Sequence, residues 1–164
     1  MLARLRRSLG ILANNVGVTC KRAGRLGAAD RSYRIAVATG PSDPRLVAAL
    51  LHNLAGLAHA RGRYAEAEPI ARHGLALRQR LQGTEHPDFA ADLGALAAIV
   101  DARGGHEEAE AMYRRALALP AMRPDDAAVA RRNLALLLDR RSGRDHAPET
   151  GARSRPERGA ARAT

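Results

Sequence analysis

A chain of 164 residues is enough for one domain, and its 46% apolar content allows a core. With 2% aromatic residues, no Trp and a single Cys, that core must rest on Leu and Ala, which disfavours a β-sandwich and excludes an intramolecular disulfide. The net charge of +10 is uneven: residues 1–42 hold eight bases against Asp30 alone, 43–119 sum to −1, and 120–164 to +4.

The chain opens with Met1-Leu2-Ala3-Arg4-Leu5-Arg6-Arg7-Ser8-Leu9, which has the basic start of a targeting segment. Asn14-Asn15 interrupts the apolar run that follows, and no small-residue cleavage site stands where one is needed. The expectation is a cytoplasmic protein with a basic, helical lead-in over 1–9, an organellar transit segment being the alternative. No apolar stretch approaches the roughly 20 residues of a membrane-spanning helix.

Apolar spacing of three and four, as in Leu50-Leu51-Leu54-Leu57-Ala58, predicts helices at 3–22, 27–39, 44–61, 65–82, 88–103, 107–119 and 125–141. Cys20 falls on an apolar face of the first and reads as a small buried thiol. Gly24, Gly62 and Gly104-Gly105 mark short turns that set successive helices antiparallel. Between pairs, Gly40-Pro41-Ser42-Asp43-Pro44 stops one helix and starts the next, with Asp43 as cap and Pro44 in the first turn, where a missing N–H costs nothing. Gly83 to Asp88 repeats this logic, with His86 as a turn and cap residue, and Pro120 to Asp126 does so again. Gly74 inside the fourth helix predicts local softness, since Ala would be about 1 kcal/mol better there. The segment 142–164 lacks apolar periodicity and predicts a disordered Arg/Gly/Pro tail.

One phrase recurs along this series. It runs Leu54-Ala55, Gly62-Arg63-Tyr64, Ala65-Glu66-Ala67-Glu68; then Leu96-Ala97, Gly104-Gly105-His106, Glu107-Glu108-Ala109-Glu110; and, more weakly, Val16-Gly17, Gly24-Arg25-Leu26, Gly27-Ala28-Ala29-Asp30. The turn glycine advances by 38 residues and then by 42. Such a period marks a stacked helical-repeat array. Small pairs at matching offsets (Gly17/Ala29, Ala55/Ala67, Ala97/Ala109) suit close crossings, and Tyr33 and Tyr113, with Ala71 as a weaker equivalent, fill the gap to the next repeat.

Together with His52-Asn53-Leu54-Ala55, Pro69 and Gly83-Thr84-Glu85-His86-Pro87-Asp88, these residues resemble the tetratricopeptide repeat, and more narrowly its longer kinesin-light-chain-like form. The resemblance implies an all-α, right-handed solenoid of antiparallel helix pairs over 10–141, with repeats at about 10–43, 44–85 and 86–122 and a capping helix at 125–141. It further implies a non-catalytic module, without cofactor, that holds a peptide or partner protein in a concave groove lined by the first helix of each pair.

Carried over by position, the groove would present Ile11, Asn14, Asn15, Val18, Lys21 and Arg22, then Ala49, His52, Asn53, Gly56 and His59. The third and fourth first helices would add Ala91, Gly94, Ala95, Ala98 and Asp101, then Val129, Arg132, Asn133, Leu136 and Asp139. Asn15, Asn53 and Asn133 share one helical position, and an amide that both donates and accepts can pair with any extended backbone. The plain alternative is that these amides only solvate a helix surface. A clamp for a terminal carboxylate, known in one branch of the family, lacks its cation here because Ala91 and Ala95 stand at the relevant places. With Lys21 and Arg22 at one end, the groove would direct an acidic part of its ligand toward the first repeat.

Catalysis finds little support. His52 and His59 are seven apart on one face but lack a third metal ligand, and the acids at 66–68 and 107–110 begin helices, where they suit the dipole. No phosphate loop or nucleophile elbow occurs. The rival reading is a nucleic-acid or anionic-surface binder using the N-terminal bases and the tail, weakened by the scarcity of aromatic rings to stack on bases. A remnant of a longer repeat protein, self-associating through exposed end repeats, is the third reading.

Overall fold

A computed structural model describes residues 1–145. The helices are α1 (Leu2–Arg22), α2 (Leu26–Ala38), α3 (Pro44–Ala60), α4 (Tyr64–Gln82), α5 (Pro87–Ala102), α6 (His106–Ala118) and α7 (Pro124–Asp145). Among the described residues there is no strand, and the fold is an all-α solenoid of antiparallel helix pairs. No helix among them is long and apolar enough to cross a membrane.

The punctuation works as its chemistry requires. The Asp43 carboxylate accepts from the Arg45 N–H at 3.0 Å, and His86 Nδ1 accepts from the Asp88 N–H at 3.1 Å, each with a proline in the first turn. Gly24, Gly62 and Gly104 take φ of +71°, +72° and +93°, a left-handed turn that a side chain would disfavour. Each is followed by the same closing hydrogen bond: Arg25 N–H to Cys20 O, Arg63 N–H to Ala58 O, and Gly105 N–H to Val100 O, at 2.9, 2.9 and 3.0 Å. This is one Schellman stop used three times.

The odd-numbered helices pack in succession, α1 with α3, α3 with α5 and α5 with α7, while the backbones of α2, α4 and α6 stand apart from one another, though Arg72 of α4 reaches Glu108 of α6 at 2.8 Å. The odd helices therefore form the concave layer and the even helices fan out behind them. Between the layers the small residues sit as their spacing required: Ala29, Ala67, Ala97 and Ala109 have no exposed surface. Gly17 is the tightest crossing, since a Cβ there would overlap the ring of the fully buried Tyr33.

Two expectations need correction. The expectation that Ala would serve better at Gly74 overlooks its packing: it is buried, and a Cβ on it would lie 3.1 Å from Leu51 Cβ and 3.7 Å from the His52 nitrogen. The glycine is there because α4 and α3 approach closely. The last helix also outruns its expected end at 141, so that Ser142 to Asp145, assigned to a disordered tail, are helical. The Ser142 hydroxyl bonds back to the Asp139 carbonyl at 3.0 Å, which a helix tolerates, and ion pairs from Arg140 to Asp101 and Arg141 to Glu110 (both 2.6 Å) fasten the preceding turn. The rest of the expected tail, 146–164, lies outside the described residues.

Candidate binding groove

Two adjoining hollows run along the concave layer. One, of about 300 Å³, has Arg22 and His52 on one wall, Ala91, Gly94 and Ala95 as its floor, and Arg123 and Val129 on the other wall. The second, of about 310 Å³, is bounded by His59, Asp101, His106, Tyr113, Leu136 and Arg140. Ala98 and Asn133 line both, so the two are halves of one trough whose small floor residues come from α5.

The expected groove residues divide into those that face this space and those already engaged within the fold. Arg22 lines the first hollow, is exposed and forms no ion pair among the described residues; Arg132 and Asn15 are exposed too but line neither hollow. Asn133 is half-buried at the junction of the hollows. Asn53 is different: it and Asn14 are each 8% exposed, and Asn53 Nδ2 donates to Asn14 Oδ1 at 2.8 Å across α1 and α3. The shared position of Asn15, Asn53 and Asn133 thus resolves into three environments, with Asn53 tying two helices together. Asp101 is likewise occupied, meeting His106 Nδ1 at 2.8 Å and Arg140 Nη2 at 2.6 Å.

Lys21 is half-buried on the groove side of α1, its ammonium 2.7 Å from where a Cβ on Gly56 of α3 would stand. Burial, aided by the neighbouring Arg22 cation, holds its amine below the usual lysine value, and no carboxylate pairs with it among the described residues. His59, its ring tilted against that of Tyr64 with centroids 5.3 Å apart, is held below the usual imidazole range by burial and then by the Lys21 charge. This end of the trough thus carries positive charge with no internal counter-ion.

Residues 46–120 match the family model described as tetratricopeptide repeat. These are tetratricopeptide repeats. The crystal structure of BtubC (BKLC) from P. vanneervenii is similar over 94% of this chain and 70% of that one, with a TM-score of 0.68 and 21% identity, a likeness of fold. No curated protein sequence matches this chain.

The tetratricopeptide pattern does not predict the polar network beside the groove. His52 Nδ1 lies 2.7 Å from Asp92, whose other oxygen accepts from Arg78 Nε at 3.0 Å; Asp92 and Arg78 are each 6% exposed. Arg78 continues to Gln82 (3.1 Å) and Asp88 (3.2 Å), and Asp88 pairs with the groove residue Arg123 at 2.9 Å. One signal was present in the sequence. Asp92 occupies the repeat position held by Leu12 and Leu50, and a charge on an otherwise apolar face must find a buried partner.

Proposed function

We propose that the chain is a non-catalytic, cytoplasmic interaction module that holds a peptide segment of a partner protein along the concave trough. Tetratricopeptide repeats generally mediate protein–protein contact, and the trough here has the form that task needs. The observation that carries the reading is the positive charge of Lys21 and Arg22, which has no partner among the described residues, with Arg22 lining the same hollow as the small residues Gly94, Ala95 and Ala98. An acidic side chain would sit against Lys21 and small apolar residues along α5, while the Asn133 amide meets the peptide backbone.

Selection from a random peptide-display library tests this. The wild-type chain should enrich acidic peptides, and the double variant Lys21→Met/Asn133→Ala should lose them by about tenfold or more in affinity. Its fold should hold, because Lys21→Met removes a half-buried cation that has no partner. Peptides that bind wild type and variant alike would contradict the assignment.

A further inference from the structure

Leu5, Leu9, Leu12 and Val16 form a stripe along α1 at spacings of four, three and four, and are 58%, 50%, 62% and 45% exposed. The protein's own repeats show what belongs on such a stripe. By the 38- and 42-residue offsets of the turn glycines, Leu9, Leu12 and Val16 correspond to Val47, Leu50 and Leu54 in α3, and to Phe89, Asp92 and Leu96 in α5. In α3 this face is closed by α2: Leu50, 3% exposed, shares one core cluster with Tyr33 and Ala36. In α5 it is closed by α4: Leu96 clusters with Ala67 and Ala71, and Asp92 takes Arg78. Each later odd helix is covered here by the even helix before it. Among the described residues, none covers α1.

Charge narrows the occupant. Along α1 stand Arg4, Arg6, Arg7, Lys21 and Arg22 with no acid, and of these only Arg7 forms an ion pair, with Asp43 at 2.9 Å. A second copy laid α1 against α1 would face bases with bases, and one laid with the exposed Val129 and Leu136 of its α7 on the stripe would bring Arg131 and Arg132 against them as well. We propose that this face docks an amphipathic, acid-flanked helix of another protein, which takes the place of an even helix ahead of α1. The apolar stripe supplies contact area and Arg4 and Arg6 read the acidic flanks.

The test titrates the full chain with two labelled synthetic helical peptides sharing one Leu/Ala stripe, one flanked by Glu and the other by Lys. The Glu-flanked peptide should bind at least about tenfold more tightly, with affinity falling as salt rises. Leu9→Glu/Leu12→Glu, at exposed positions and with helicity checked by circular dichroism, should lose that binding. Lys21→Met/Asn133→Ala should keep it, which separates this face from the groove. Equal binding of both peptides, or none of either, would overturn the proposal. So would retained binding by the Leu9→Glu/Leu12→Glu variant, a wild-type dimer that this variant dissociates in sedimentation, or binding to anionic vesicles with none to the Glu-flanked peptide.

Discussion

Asp92 shows how one residue can hold a repeat interface together. Its carboxylate joins α5 to Arg78 of α4 and to His52 of α3, and with Arg78 it is almost wholly out of water. Removing one member of a buried pair strands the other charge, so Asp92→Ala should lower unfolding free energy by about 3–5 kcal/mol. Arg78→Met/Asp92→Leu should recover most of that loss, because an apolar pair spares both desolvation costs; urea unfolding of the three chains measures it. Tyr33 carries a different burden: its hydroxyl is buried without a hydrogen-bond partner among the described residues, and burial pushes its pKa up to about 12. The folded state therefore retains a proton that the unfolded state releases from pH 10 upward, and stability must fall as pH rises from 10 toward 12. Tyr33→Phe should leave neutral-pH stability equal or higher and reduce that alkaline loss, read from thermal melts at pH 8 and pH 11. A sequence shows that Asp92 breaks an apolar face. It does not show that Asn14 lies within reach of Asn53, because that depends on how two helices are turned toward each other.

Elements were more legible than contacts. Helical periodicity, three glycine stops and two proline starts place the first six helices to within a residue or so, since each signal acts over one turn of chain and needs no knowledge of the rest. The end of α7 was not legible, because Ser142-Gly143 reads as a breaker while the fastening ion pairs to Asp101 and Glu110 come from distant repeats. Gly74 shows a similar limit: propensity counts the missing side chain as a loss, whereas a Cβ there would stand only 3.1 Å from Leu51 Cβ on α3. Gly17 makes the same point more strongly. Gly17→Ala should destabilise the first repeat by roughly 1–3 kcal/mol despite its better helix propensity, and Tyr33→Leu in the same chain should relieve part of the cost. An effect of Gly17→Ala that Tyr33→Leu leaves unchanged in denaturant unfolding would contradict this packing.

At the scale of the whole molecule, a fixed spacing of small residues stacks helix pairs, stacking sets the odd helices side by side, and that layer makes a trough. The solenoid was legible from the repeat spacing alone. The trough was legible in outline through the resemblance, but which side chains remain available to a ligand was not, because Asn53, Asp101 and His52 are engaged with neighbours that no helical wheel displays. What remains is a surface with positive charge at Lys21 and Arg22, small residues in the middle and Asn133 across from them. The open stripe on α1 lies on another face and answers to different variants. The most direct test of the groove is amide chemical-shift mapping with an acidic peptide selected on the wild-type chain. Shifts should concentrate on Lys21, Arg22, Gly56, Gly94, Ala98 and Asn133. Shifts confined to α2, α4 and α6, or to Leu5, Leu9 and Leu12, would contradict a concave binding site.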